Sequence, residues 1–518
     1  MPLTLSQLLS TVPTARLLDV PGAEADAQAV LLEDVTLDSR TAGPRVLFAC
    51  RPGARADGHD FASTAVSAGS PALLVERQLA LPVPQVVVPS VARAVGPVAA
   101  ALHGRPADDL LLLGVTGTNG KTTTAFLLEA ILRAAGHRTG LIGTVETLIA
   151  GVQQPGVRTT PEAPDLQRLF ANMRAEGVTA AAMEVSSHAL ALGRMAGTRF
   201  AAALFTNLTQ DHLDFHADLE DYFSAKARLF TAAHTGLSVI NVDDPWGRRL
   251  ATGVATDVVR VSARGTDADV TAAEIQVDAD GSTFVAVLPS GPLRVRTHLP
   301  GHFNVANALH AVAAATAVGI PPEAAVAGLA SMRGVPGRME RIDVGQPFSV
   351  LVDYAHTPDS VENVLRAARQ LTSGRVLVLV GCGGDRDRSK RPLMGRAAVS
   401  LADVTVLTSD NPRSEDPAAI LEQIAEGART AAADRAAGRW TTVLDRRDAI
   451  AQILSEARAG DVVVLAGKGH ETFQELAAGC VDFDDREVAR AVLAGWRATA
   501  ARSPRPVDPR PVEPGARP

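Results

Sequence analysis

The apolar run Leu110-Leu-Leu-Leu113 leads straight into Gly114-Val-Thr-Gly-Thr-Asn-Gly-Lys-Thr-Thr-Thr124, and a helical pattern then runs to a stop at Gly136. Strand, glycine-rich loop and helix in that order are the setting of a phosphate-binding loop. The order constrains the fold around it. The strand has to be interior, and the loop has to open where the following helix N-terminus adds positive potential. Gly117 and Gly120 let backbone N–H groups close on phosphate oxygens, Lys121 reaches the terminal phosphates, and the Thr122 hydroxyl suits Mg2+. In one respect the pattern is irregular. The glycine usually six residues before the lysine is replaced by Val115, with Gly114 one place earlier.

Lys121 is one of only four lysines among 50 basic residues; the others are Lys226, Lys390 and Lys468. Codon bias in a GC-rich genome accounts for a general preference for Arg. It does not account for all four survivors falling in polar segments rich in Gly, His or Asp. Each marks a place where a primary amine does what a guanidinium cannot.

At 518 residues the chain is too long for one core, and about three domains are expected. Aromatics make up only 4%, so Ala, Val and Leu carry the apolar load, which suits helices packed on parallel sheets. A net charge of −7 offers no basic footprint, and no nucleic-acid partner is expected. Cys50, Cys382 and Cys480 lie far apart without metal-ligand spacing, which argues for a reducing compartment. The N-terminus lacks a signal-peptide pattern, and no stretch approaches the roughly 20 apolar residues that span a bilayer. A cytoplasmic protein without a membrane span, acting as a monomer, is expected.

Residues 1–105 alternate short apolar runs with helical patterns and predict a small α/β domain. Residues 106–336 carry the phosphate loop and further buried strands at 178–185, 200–206 and 237–242, predicting a central parallel sheet of the P-loop ATPase type. After a turn at Gly334-Val-Pro-Gly-Arg338, a second strand–helix alternation over 337–502 predicts a C-terminal Rossmann-like domain. The Pro- and Arg-rich segment 503–518 has no periodicity and is expected to be a disordered tail.

Two further segments carry chemistry. The strand Ala180-Ala-Ala-Met-Glu184 ends in a carboxylate and is followed by Val-Ser-Ser-His188; Thr206-Asn-Leu-Thr-Gln-Asp-His-Leu-Asp-Phe-His216 crowds potential ligands at the end of another strand. Taken singly, Glu184 could cap a helix and the histidines could sit on a solvated face. Together with the phosphate loop they point to a metal-assisted phosphate site.

These segments, with Gly301-His-Phe-Asn-Val-Ala-Asn307, Gly337-Arg-Met-Glu-Arg341 and Asp353-Tyr-Ala-His-Thr-Pro358, resemble in order and spacing the Mur ligase family, the ATP-dependent amide-forming enzymes of peptidoglycan precursor synthesis. The resemblance covers nearly the whole chain except the tail. It implies that Gly117, Thr118, Asn119, Gly120, Lys121, Thr122 and Thr123 bind ATP, with Asn304, Arg338, Asp353 and His356 at its adenine and ribose; an Asn at 304 could also cap a helix. It implies two Mg2+ ions, one at Thr122 and Glu184, the other at His212 and at Lys226 carrying CO2 as a carbamate. With Lys121, these residues form the implied catalytic set. For a nucleotide-sugar substrate it points to Ser39, His59, Asp60, Thr159, Thr160, Ser186 and Arg194. Leu192 stands where some relatives have Gln, which leaves one contact there open.

Asp410-Asn411-Pro412-Arg413 resembles the signature of members that add meso-diaminopimelate, with Arg386, Gly467 and Glu471 completing the implied amino-acid pocket. A guanidinium takes a carboxylate through two parallel hydrogen bonds, and diaminopimelate differs from lysine by its distal carboxylate. In isolation Asp-Asn-Pro-Arg would be a plain turn, and similar motifs accompany lysine or ornithine. The implied reaction is ATP-dependent amide formation on UDP-MurNAc-L-Ala-D-Glu through an acyl phosphate, with a diamino acid as third residue. A folylpolyglutamate synthase shares the loop but lacks a nucleotide-sugar domain such as 1–105. A GTPase-like switch would carry Asn-Lys-x-Asp, which is absent, and Gly381-Cys-Gly-Gly-Asp-Arg386 fails the dinucleotide spacing.

Overall fold

The computed structural model describes residues 2–18, 29–53, 56–154, 158–433 and 438–502. The tail expected at 503–518 lies outside the described residues. Two compact units divide the chain, one of residues up to 336 together with Arg386–Lys390, the other of residues 337–385 and from 391 onward.

In the first unit, the N-terminal part is a five-stranded sheet in the order Arg16–Leu18, Gln85–Val87, Leu73–Val75, Val46–Ala49, Asp34–Thr36. Only its first pair is antiparallel. Val91, Val95, Val98 and Leu102 line one face of the helix Val91–Leu102 at helical spacing, and that face packs on Val35, Leu47 and Leu74.

The larger sheet has eleven strands. Its middle runs parallel in the order Thr139–Ile142, Ala180–Glu184, Leu111–Thr116, Ala202–Phe205, Leu237–Asn241, Asp257–Ser262, Val270–Asp278. Alternate residues go to opposite faces: Leu113, Val115, Ala180, Ala182 and Leu204 enter one apolar core, and Leu112, Ala181, Met183, Ala203 and Phe205 enter the other. With both faces covered, the polar groups beside the loop come where these strands end, at Thr116, Glu184 and Thr206. The sheet is nevertheless mixed. Thr147–Ile149 and Val152–Gln154 add antiparallel strands at one edge, and Gly281–Leu288 and Gly291–Thr297 do so at the other. These outer strands alternate buried and exposed positions, and the connections Ala279-Asp280 and Pro289-Ser290 are two-residue hairpin loops.

The irregular Gly114 has a packing reason. It lies inside the strand Leu111–Thr116, and a Cβ there would come within 2.8 Å of the Phe200 ring.

The second unit carries a six-stranded sheet in the order Glu340–Ile342, Ser349–Asp353, Val462–Ala466, Val376–Val380, Val404–Leu407, Arg439–Thr442, parallel except for its first pair. Beneath it Arg446 and Asp485, both fully buried, pair through two hydrogen bonds of 2.8 and 2.6 Å. Arg446 also donates to the carbonyls of Ala466 and Ser409, tying together the chain segments that leave two strands. Such a pair holds only because its remaining donors are satisfied.

Candidate active site

The phosphate loop sits between the strand Leu111–Thr116 and the helix Lys121–Ala134. Gly117 and Gly120 take φ of 152° and 86°, and a Cβ on either would collide with Thr206 Oγ1 at 1.9 Å or Asn307 Oδ1 at 2.4 Å. Neighbouring chain holds the loop's shape: Asn119 N donates to Asn207 Oδ1, Asn207 Nδ2 and Thr206 Oγ1 donate to Asn119 O, and Thr118 N donates to Asn207 O. Thr118 Oγ1 lies 3.2 Å from Tyr222 OH. The Lys121 ammonium folds back on the loop and donates to the carbonyls of Gly117 and Thr118. Thr123, in the helix's first turn, is buried.

Glu184 is buried at the end of its strand. Thr122 Oγ1 donates to its Oε2 at 3.0 Å, and Thr144 donates to both carboxylate oxygens, from N at 2.7 Å and from Oγ1 at 3.1 Å. The capping role considered for Glu184 falls instead to Ser186, whose Oγ accepts from Ala189 N. Thr144 gave no signal in the sequence, because Gly143-Thr144 reads as an ordinary turn.

Lys226, 1% exposed, donates to Gly117 O at 2.7 Å, and its Nζ lies 4.5 Å from the centre of the Tyr222 ring. Burial, with the Lys121 ammonium adding to it, holds its pKa well below the usual lysine range, although Asp211 opposes the shift. An amine so placed is readily neutral, the form that reacts with CO2. His188, His212, His216, Phe215 and Tyr222 form an aromatic group nearby, with His188 and His212 edge to face at 4.8 Å. Burial, chiefly, holds His212 down to about 3 and His188 to about 4, so both imidazoles are neutral at physiological pH, the form that ligates metal. His212 takes a φ of 57°.

Among the described residues no three His, Cys, Asp or Glu side chains cluster as a metal ligand set. The donors present still fit the implied cations. Thr122 and Glu184 supply a buried pair of hard oxygens beside the loop, which is what Mg2+ takes together with substrate phosphates. His212 supplies a neutral imidazole nitrogen, and a carbamate on Lys226 would supply oxygen.

Of the residues expected at a nucleotide-sugar, four gather beside Glu184. Thr159 Oγ1 lies 2.9 Å from Thr144 Oγ1; Thr160 Oγ1 donates to Glu184 O and accepts from Ser186 N; Arg194 Nη1 donates to Thr160 O. In the N-terminal part, Ser39 is half-buried and opens a turn capped by Asp38, and Asp60 is exposed. His59 is buried, with Asp57 on its Nδ1 and Glu76 N donating to its Nε2, so both ring nitrogens are engaged within their own sheet.

Asn304 is buried in the first turn of the helix His302–Ala317, which Gly301 and not Asn304 caps. It donates to Pro300 O and accepts from Asn307, the residue that packs on Gly120. Arg338, Asp353 and His356 belong to the second unit. There the Arg338 guanidinium lies 4.6 Å over the Tyr354 ring, His356 Nδ1 lies 2.8 Å from Tyr354 O, and Asp353, its pKa raised by burial, accepts from Met339 N.

Also in the second unit, Asp410, Asn411, Pro412 and Arg413 form a loop closed on Lys468, Glu471 and Glu475. Glu471 Oε2 accepts from Asn411 Nδ2 at 2.8 Å and from the fully buried Lys468 at 2.9 Å; Lys468 also donates to Asn411 Oδ1. Arg413, at a φ of 52°, donates from Nε to Glu475 and from Nη1 to Gly384 O. Gly467 lies against Asp410, where a Cβ would meet Oδ2 at 2.5 Å. Arg386 is exposed. Lys468 was conspicuous in sequence as a rare lysine, whereas nothing there marked Glu475.

A phosphate loop at the end of a doubly covered parallel strand, with a buried hydroxyl–carboxylate pair behind its lysine, defines a nucleoside-triphosphate-using α/β enzyme. Residues 115–315 match the Mur ligase middle domain, 337–469 the Mur ligase glutamate ligase domain, and 32–105 the Mur ligase family catalytic domain. The chain belongs to the Mur ligase family, and it is a ligase. It is 48% identical over 492 residues to a UDP-N-acetylmuramoyl-L-alanyl-D-glutamate--2,6-diaminopimelate ligase of Streptomyces coelicolor, covering 94% of this chain and 97% of that one. It is 47% identical over 464 residues to a ligase of the same name from Geobacillus thermodenitrificans, covering 88% and 94%. A solved structure bearing that name matches with a TM-score of 0.68 at 32% identity, over 96% of this chain and 100% of the other. The MurF ligase of Thermotoga maritima in complex with ADP, 18% identical with a TM-score of 0.60 over 91% of this chain and 99% of the other, shares the fold.

Proposed function

We propose that this chain joins a diamino acid, meso-diaminopimelate, to the D-Glu side-chain carboxylate of UDP-MurNAc-L-Ala-D-Glu at the expense of ATP. The observation that carries the reading is the loop of Asp410–Arg413, locked to Glu471 by Lys468, within a chain so similar to ligases named for that reaction. The carboxylate attacks the γ-phosphorus of ATP, and ADP leaves. The neutral amine then adds to the acyl carbonyl, loses its proton, and the tetrahedral carbon expels phosphate to leave the amide. Lys121 stabilises charge on the transferring phosphoryl group, and the loop amides orient the phosphates. Thr122 and Glu184 would hold one Mg2+, and His212 with a Lys226 carbamate a second; ions bound there would supply further charge neutralisation. The carbamate forms when the neutral Lys226 amine adds to CO2 and releases a proton. In domain terms, 1–105 would take the nucleotide-sugar, 106–336 ATP and 337–502 the amino acid. Among the described residues no helix is long and apolar enough to cross a membrane; the reading takes the chain as a cytoplasmic monomer.

The Arg413 guanidinium suits the distal carboxylate of diaminopimelate, and Glu471 the adjacent ammonium. Lysine and ornithine lack that carboxylate and would forgo the contact. A charge-assisted hydrogen bond contributes about 1.5–3 kcal/mol, so diaminopimelate is expected to win competition assays by about tenfold to a hundredfold. Arg413→Ala should remove most of that preference while leaving the KM for ATP unchanged. A wild-type preference for lysine or ornithine would refute the diaminopimelate assignment and spare the ligase reaction.

A further inference from the structure

The loop Asp410–Arg413 takes its shape from a neighbouring hairpin. Arg413 has a φ of 52°, a left-handed conformation that is uncommon away from glycine and persists where surrounding contacts over-determine it. Those contacts come from the antiparallel pair Phe473–Leu476 and Gly479–Asp482. Two strands alone are marginal in water, and the first of these is tied to the loop. Arg413 N donates to Glu475 O at 3.0 Å, Glu475 N to Asn411 Oδ1 at 3.0 Å, and Gln474 Nε2 to Asp410 O at 2.6 Å.

Glu475 also holds the Arg413 side chain. Its Oε2 accepts from Nε at 2.8 Å, while Gly384 O accepts from Nη1 at 2.8 Å. The two supports differ in kind. Gly384 is set by main chain: its N donates to Asn411 O, and a Cβ there would meet Pro412 O at 1.9 Å. The fully buried Arg391 secures the same stretch, donating to both carboxylate oxygens of Glu415, whose Oε1 accepts from Asp385 N. Glu475 acts through its side chain, which is 41% exposed against 21% for Arg413. An ion pair this exposed adds little to stability, so its contribution is geometric. Acceptors on two different nitrogens fix the plane of a guanidinium as well as its position, and a carboxylate is recognised in that plane. Glu471 is held separately, by Lys468 and Asn411.

We propose that Glu475 is a positioning residue for the amino-acid site: by fixing the Arg413 guanidinium, it sets the preference for a diamino acid bearing a distal carboxylate over one without it. The inference rests on the diaminopimelate reading above and adds a residue that acts through Arg413.

Steady-state kinetics of the full chain, with meso-diaminopimelate or lysine as the varied amino acid, compare wild type, Glu475→Ala and Glu475→Gln. Alanine releases Nε, whereas glutamine keeps an oxygen there to accept from it. Glu475→Ala is expected to raise the KM for diaminopimelate about tenfold, the low end of what one charge-assisted hydrogen bond contributes. Its kcat, its KM for lysine and for ATP, and its thermal midpoint should change little. Glu475→Gln is expected to retain most of the wild-type preference. An unchanged KM for diaminopimelate in Glu475→Ala would overturn the proposal. Equal losses with lysine and diaminopimelate, or a lowered thermal midpoint, would also overturn it, since they mark a residue that only supports the loop. A glutamine variant as impaired as the alanine variant would do the same by assigning the effect to charge and not to position. A wild-type preference for lysine would remove the diaminopimelate reading and this inference with it, whereas a diaminopimelate preference kept intact by both variants removes this inference alone.

Discussion

Lys121→Ala is expected to lose at least about 10²–10³-fold in ligation rate while remaining folded, the scale seen when one preorganised donor is taken from developing charge. The ammonium now rests on the Gly117 and Thr118 carbonyls, contacts it can exchange for phosphate oxygens as they enter the loop. The loop's conformation depends instead on Asn119, Thr206 and Asn207, so its shape should survive the substitution. Steady-state kinetics at saturating ATP, with circular dichroism as the control for folding, check this. Full ligation by the variant would mean that the lysine serves the loop and not the phosphates.

Lys226→Arg should fail by about 10²-fold or more for a different reason, since a guanidinium keeps the charge but cannot take up CO2. Lys226 is buried against Tyr222 and depressed in pKa, in a chain that otherwise uses arginine almost everywhere. Lys226→Ala empties the same volume, and a small carboxylic acid such as acetate should diffuse in and restore part of the turnover. Mass spectrometry cannot be relied on to retain a carbamate, so the rescue is the decisive readout. Near-normal turnover by the Arg variant, or no rescue of the Ala variant, would count against the carbamate.

What was legible in the sequence follows from how locally each feature is encoded. The phosphate loop depends on residues within a dozen positions of one another. The interior strands are continuous apolar runs, as Val404–Leu407 is. Glu184 could be placed because a carboxylate closing an apolar strand in an α/β fold must emerge at the sheet's C-terminal edge. The outer strands after Val270 were harder, because half of their positions face solvent and resemble loop. Partners distant in sequence were out of reach: Thr144 for Glu184, Gly117 for Lys226, and Arg51 for Glu162, which stands 111 positions away. Their residue types are ordinary, and only the folded chain brings them together.

The most direct test of the ligase mechanism follows the carboxylate oxygen. The purified chain is given ATP, meso-diaminopimelate and UDP-MurNAc-L-Ala-D-Glu whose D-Glu side-chain carboxylate carries heavy oxygen in both positions. If that carboxylate attacks the γ-phosphorus and phosphate later leaves from carbon, each phosphate released carries one heavy oxygen and the new amide keeps the other. Unlabelled phosphate, or ATP consumed without amide formed, would contradict the acyl-phosphate route.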